Sequence, residues 1–526
     1  MSRRRPHLSS SLVTVSLLLA VCCVSPARAQ LAGISSAASD QAARGYRISG
    51  RVVAARSGTA LSRSFVEITE VKRGLESHTV LTDEDGRFSF DQLQPAKYRL
   101  TAGKHGFLTQ AYEQHDNYST AIAVGPGLVS EGLLFELTPG AILSGTVTDD
   151  AGEPVRQAQV KLFRDQDTDG IRSTQAASGT LTDDRGAYEI ADIQPGAYFL
   201  SVSARPWYAI QQHAPPGAGS DSAALDVAFP TTYYPDVTES DAATPIPFKG
   251  GDRLQADFIL HAEQAMHLRI PMSEAALRSG YGVSMSHSVF GQPEDVPASM
   301  TPDGTGAVEI DGLLPGHYDV ALTTTEGNHQ TVSHFSADVG EGSAQIEDAE
   351  NNNDVTVTGK VILSEGNLPR DSGMALVVMH SHRAYFGRVN DAGEFTISVP
   401  PGTYEVLGQI NRHYLASVSA TGAPLTGRVL TVRAGATPRL QVLVGSSYGR
   451  IDGVVMHNGH RASAAMVLLV PDHPRENQIL FRRDQSDSDG TFTLAGILPG
   501  HYRLVAIERG WELEWANPQV LAPFLL

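Results

Sequence analysis

Residues 490–502 read Gly-Thr-Phe-Thr-Leu-Ala-Gly-Ile-Leu-Pro-Gly-His-Tyr, and no other stretch limits the fold as much. Phe492 and Leu494 alternate with threonines, the period of a strand with one buried face. Asp487, Asp489 and Gly490 ahead of it supply a tight turn, since glycine tolerates a positive φ. Pro499-Gly500 makes a second turn, and Tyr502, Leu504 and Ala506 alternate into a further strand. The unit is turn, strand, turn, strand, and it occurs five times. Its starting glycines are Gly86, Gly186, Gly306, Gly393 and Gly490, 87 to 120 residues apart, and the copies end in Tyr98, Tyr198, Tyr318, Tyr404 and Tyr502. That spacing suits a whole small domain, not a solenoid repeat.

The N-terminus reads as a segment cleaved from the mature chain. Arg3, Arg4 and Arg5 precede an apolar stretch, residues 12–24, too short to span a bilayer, and Ala27-Arg28-Ala29 has the small-x-small form of a cleavage site. Residues 1–29 are thus expected to be a signal peptide, with a flexible leader at 30–45. Cys22 and Cys23 invite a lipid-anchor reading, which the bulk of Val21 before Cys22 disfavours. They are the only two cysteines, so the exported chain would hold its domains by their cores, without disulfides.

The chain has 40 basic and 58 acidic residues, a net charge of −18. Losing Arg3, Arg4, Arg5 and Arg28 with the signal peptide leaves 36 against 58, or −22. Such a surface repels phosphate backbones, so nucleic acid is not an expected partner. No later segment is apolar for 18 residues, so no transmembrane helix is expected in the mature chain.

The motif spacing divides the remainder into five antiparallel β-sandwiches: 46–139, 140–262, 263–353, 354–445 and 446–526. Short strands, turns every 8 to 12 residues and almost no helix support this all-β reading. The Gly-x-Phe-x-Leu strand would place its large side chains between the sheets, and burial of each contributes roughly 1.5–3 kcal/mol. The tyrosine ring would close the sandwich end while its hydroxyl finds a backbone partner. Within the second unit, residues 206–236 form a Pro/Gly-rich excursion longer than a normal sandwich loop. The fifth unit reads as unfinished. After residues 502–507 only 511–526 follow, and Pro518 and Pro523 suit no interior strand. An unpaired edge rimmed by Trp511, Trp515 and Phe524 is expected there.

The order Ile-x-Gly-x-Val, Gly-x-Pro, Thr-Asp-x-x-Gly-x-Phe/Tyr and Pro-Gly-x-Tyr resembles the carboxypeptidase regulatory-like domain. The second unit matches most closely, through Thr182-Asp-Asp-Arg-Gly186 and Pro195-Gly196-Ala-Tyr198. The resemblance implies a sandwich similar to transthyretin and to starch-binding domains. It also implies an accessory role, since the domain accompanies some metallocarboxypeptidases without being the peptidase, and it carries over no catalytic residue.

Four local patterns suggest chemistry. Gly445-x-Ser447-x-Gly449 has the nucleophile-elbow spacing, but a strand follows it where an elbow needs a helix, so it reads as an interdomain turn. His380 and His382 would share one face of a strand, with no third metal ligand nearby. Asp165, Asp167 and Asp169, followed by Gly170, resemble the front half of a calcium loop, but Ala176 stands where an EF-hand has its bidentate Glu. An irregular Ca2+ site or a solvated acidic turn are the two readings. Trp207, Tyr208, Tyr233 and Tyr234 concentrate in the long excursion, either capping the sandwich or offering a platform for the apolar faces of sugars.

The sequence thus predicts an exported, non-catalytic array acting as a binding or scaffold protein of the cell envelope, in the periplasm, on the outer surface or outside the cell. Polysaccharide or an envelope protein is the expected partner. The competing readings are a spacer or adhesin without glycan affinity, and an accessory subunit of a carboxypeptidase or outer-membrane transport system.

Overall fold

The computed structural model describes residues 14–15 and 45–525, apart from 73, 75, 169, 210–224, 273–277, 279, 297–298, 303–305, 327–328, 341–343, 346–353, 364–368, 370–371, 379–383, 411–412 and 476. The chain is nearly all-β, a tandem series of two-sheet sandwiches. Among the described residues the ladders fall into five blocks in chain order, at 46–137, 141–260, 266–345, 355–445 and 449–507. Two short ladders cross these blocks: Val227–Ala228 pairs with Glu263–Gln264, and Thr14–Val15 pairs with the fifth block.

The second block shows the plan. Its opening strand Ala141–Asp149 pairs antiparallel with the motif strand Ala187–Ile193, so Gly145 lies opposite Tyr188. On its other side run Arg253–Gln255 and Phe258–Leu260, both parallel to it. The second sheet sets Gln159–Thr168 between Ile171–Leu181 and the tyrosine strand Gly196–Ser203. Leu143, Val147, Leu162, Leu200 and Leu260, all fully buried, meet between the sheets, as alternation dictates. The parallel closing strand recurs as Leu133–Leu137, Ala344–Gln345 and Arg439–Gly445 in the first, third and fourth blocks.

Both halves of the motif have a visible cause. Asp83 Oδ1 accepts from the amides of Asp85 and Arg87, Asp183 Oδ1 from those of Arg185 and Ala187, and Asn390 Oδ1 from those of Ala392 and Glu394. Each side chain thereby mimics a turn of backbone. Gly186 has φ +71°, and a Cβ there would sit 2.3 Å from the Val147 carbonyl oxygen. The tyrosine hydroxyls donate to the carbonyl four residues back: Tyr98 to Gln94, Tyr318 to Leu314, Tyr404 to Pro400 and Tyr502 to Leu498, at 2.6–3.0 Å. Tyr198 departs from this pattern. Its hydroxyl takes a long 3.4 Å contact from Arg164 while its ring meets Phe248 edge-on.

The fifth block differs from its siblings. Among the described residues no closing strand lies parallel to Gly449–His457, and Tyr502–Ile507 pairs on one side only, with Met466–Pro471. In place of a strand come the helical turns Gly510–Glu512, Pro518–Leu521 and Ala522–Phe524. Pro518 opens the second of these after Asn517, whose side chain accepts from the Gln519 amide, a position where the missing N–H costs nothing. The expected rim of exposed aromatics needs correction. Trp511 and Trp515 are buried, and with Leu521 they cover the outer face of the sheet carrying Met466, Leu468 and Val470.

The same segment joins the two ends of the chain. Trp511 and Tyr118 pack together, and the Arg483 guanidinium lies 4.9 Å from the Tyr118 and Trp515 ring centres while its Nη1 donates to Asp116. Gln485 donates to the Glu113 carbonyl and to Thr120 Oγ1, and His115 Nδ1 donates to Gln485 Oε1. The turn residue Asp487 breaks the rule its siblings follow. Its carboxylate leaves the turn and binds Lys97 and the Ala121 amide in the first block, and Asp489 takes over the Thr491 amide. Burial pushes the Asp487 carboxyl upward, and the Lys97 ammonium opposes that shift. The first and fifth blocks are therefore docked together.

Candidate functional site

A cavity of about 570 Å3 forms a cleft between the second and third blocks. One wall is the outer face of Gln159–Thr168 and Gly196–Ser203, presenting Gln159, Lys161, Phe163, Ser201 and Ser203. These residues alternate with the core positions Val160, Leu162, Leu200 and Val202, so the strand period that builds the core also builds the wall. The facing wall comes from the strand Tyr281–Val289 and from the turn Leu314-Pro315-Gly316 of the third motif copy. The motif turn thus serves as a lip of the cleft.

Lys161 Nζ and Glu294 Oε2 bridge the cleft at 2.5 Å, both largely shielded from solvent. Beside them, burial lowers the pKa of His287, with Glu294 pulling upward and Lys161 reinforcing the fall. Tyr233 closes one end. Its ring is buried and meets Phe290 of the third block edge-on at 5.6 Å, in an apolar seam with Phe163 and Val289. Burial pushes the Tyr233 hydroxyl up to about 12, so it stays a neutral phenol.

Behind the cleft the two blocks are clasped by a histidine. His267 Nδ1 lies 2.8 Å from Asp311 Oδ1, and Nε2 lies 2.7 Å from Asp226 Oδ2. The hydrogen bond to Asp311 raises the imidazole pKa to about 9; burial opposes this and Asp226 adds to it. His267, Glu309 and Asp311 offer ligand atoms within 4.8 Å of one another, the spacing of a metal site. With a carboxylate against each ring nitrogen, a charged imidazole donates to both, and the arrangement can serve as an ion-paired clasp.

The sequence-predicted residues are dispersed. Tyr233 lies in the seam and Tyr234 packs against the second core, so both fold inward. Trp207, by contrast, is 76% exposed, with its ring 88° from that of Tyr208 at 5.8 Å. Burial raises the Tyr208 pKa, reinforced by Asp149, Asp150 and Glu153 nearby. Arg205, two residues before Trp207, lines the cleft, so cleft and exposed ring are adjacent along the chain. Asp165 and Asp167 lie on a regular ladder strand, where Asp165 accepts from Thr174 Oγ1 and Asp167 pairs with Arg172 at 3.3 Å. Asp169, His380 and His382 lie outside the described residues. Ser447 sits in a short link before the strand Gly449–His457, with no helix after it. The cleft itself went unseen in the sequence, because its walls are the solvent-side positions of strands 78 to 130 residues apart.

The carboxypeptidase regulatory-like domain model matches residues 47–130 and 142–229, stretches that lie in the first and second blocks. No curated protein matches the chain in sequence. Among solved structures it is similar to the minor pilin GBS52 of Streptococcus agalactiae, with 11% identity over 42% of this chain and 97% of the pilin, at a TM-score of 0.22. The TIE protein of Bacillus anthracis aligns at 11% identity over 76% of this chain and 73% of its own, with a TM-score of 0.17. BcpA, the major pilin subunit of Bacillus cereus, aligns at 10% identity over 59% of this chain and all of its own, with a TM-score of 0.14. At these TM-scores the alignments carry no argument about arrangement or function. No helix among the described residues is long and apolar enough to cross a membrane.

Proposed function

We propose that this chain is a non-catalytic binding scaffold acting outside the cytoplasm, and that its ligand is a polysaccharide lying along the cleft and over Trp207. The observation that carries the ligand class is the exposed, orthogonally braced indole. A ring this exposed needs a reason, and the apolar face of a sugar supplies one. Arg205, Ser201, Ser203, Gln159 and Glu239 in the adjoining cleft offer the donors and acceptors that hydroxyl groups require. The regulatory-like domains support an accessory role, and the expected signal peptide supports export. The docking of the fifth block on the first weighs against an extended spacer. A glycan array with the mature protein beside a Trp207→Ala/Tyr208→Ala variant tests the reading. Binding by the first and at least ~10-fold weaker binding by the second is expected, about 1.4 kcal/mol of stacking. No glycan bound by the unaltered protein overturns the ligand class.

A further inference from the structure

In four blocks the opening strand lies between the motif strand and a parallel closing strand; in the fifth its second side has no closing strand among the described residues. The consequence is visible in burial. Ile48, Leu143 and Val357, on the first, second and fourth opening strands, are fully buried, whereas Ile451 remains partly open. The backbone repeats the message. A Cβ on Gly50 or Gly359 would sit 2.3 or 2.9 Å from a carbonyl oxygen of the closing strand, and one on Gly145 would sit 1.8 Å from the carbonyl oxygen of Ala256, between the two closing strands. At the equivalent Gly453, opposite Phe492, the three nearest atoms all belong to the Phe492 ring. Val455 N–H is bonded to Gly490, so by alternation the amides of Asp452, Val454 and Met456 face the vacant side.

One segment enters that side. Thr14–Val15 pairs antiparallel with the opening strand, Thr14 opposite Met456 and Val15 opposite Val455. It belongs to the apolar stretch that the sequence marks for removal. We propose that the free side of Gly449–His457 is a strand-acceptor edge occupied by the chain's own Thr14–Val15, so that loss of the N-terminal segment uncovers it. An edge of this kind pairs through backbone groups and takes side chains at alternate positions, as the closing strands do in the sibling blocks.

Hydrogen exchange on the full chain and on its Thr14→Pro/Val15→Pro variant tests this, because proline removes the donors a ladder needs. The Val454 and Met456 amides should exchange ~10-fold or more faster in the variant, with Val455 unchanged, and the form lacking residues 1–29 should behave like the variant. Equal rates in all three proteins overturn the proposal. So does equal loss of protection at Val455, since the segment would then hold the whole unit. Retained protection in a variant that elutes as a dimer would give the edge to a second copy, and that also overturns it.

Discussion

The indole of Trp511 stacks on the imidazole of His115, with ring centres 5.0 Å apart and planes 10° from parallel. The two residues belong to the last and first sandwiches, and between them runs most of the chain. Arg483 continues the stack, 5.4 Å from the Trp511 ring centre. Flat, desolvated contacts of this kind commonly carry most of the energy of an interface.

The first prediction concerns that junction. Trp511→Ala combined with Arg483→Ala should separate the first and fifth sandwiches, and small-angle scattering should record a larger radius of gyration. The second sandwich should melt as before, because tandem domains fold largely as units. An unchanged scattering profile would show that the Lys97 and Gln485 contacts suffice alone.

Tyr198→Ala should destabilise the second sandwich by roughly 3–5 kcal/mol, the cost of emptying a buried aromatic site. Its ring is buried against Phe248 while its hydroxyl makes only the long contact to Arg164, so Tyr198→Phe should cost little. Denaturant melts of the two variants separate ring from hydroxyl. A large loss in the Phe variant would contradict the assignment.

The His267 clasp sets a pH window. Its pKa is about 9 in the folded protein against an ordinary 6.5, so its contribution is complete below about 6.5 and vanishes as pH rises through about 9. The junction of the second and third sandwiches should therefore loosen between those values, read as faster exchange of amides around Asp226 and His267. In His267→Gln the dependence should flatten. A junction equally protected at pH 6.5 and 9.5 would show that the imidazolium is not what holds it.

Purified protein should release no C-terminal amino acids from peptides, with or without added zinc. This expectation follows from the proposed non-catalytic role, because the resemblance to a regulatory-like domain implies no catalytic residue. Zinc-dependent release that survives repurification would refute the non-enzyme reading.

The sandwiches were legible because their determinants are local. Phe88, Tyr188, Phe395 and Phe492 alternate with polar neighbours, and Tyr98, Tyr318, Tyr404 and Tyr502 bond within four residues. What escaped depends on partners far away in sequence. Asp487 has the spacing of a turn residue and keeps the turn's backbone bonds, yet its carboxylate serves Lys97, 390 residues distant. Trp511 and Trp515 look exposed when no strand can form around Pro518, and their burial on Met466, Leu468 and Val470, with His115 and Tyr118 of the first sandwich stacked over Trp511, follows no motif spacing. His267, Asp226 and Asp311 carry no motif spacing, since two strands and a loop bring them together. The exposed Trp207 was legible as an aromatic on a long loop; its separation from Tyr233 was not.

The parallel pairing of first and last strands has a mechanical meaning. Because neighbours such as Val361 and Val442 run in the same direction, the chain enters each of the first four sandwiches at one pole and leaves at the opposite pole. Tension along the chain therefore pulls these two strands lengthwise past each other. Their bonds, in register from Thr358 opposite Arg439 to Leu363 opposite Val444, are loaded together rather than opened in turn. Among the described residues the fifth sandwich has no such pair, so it would yield first and leave the other four to bear the load.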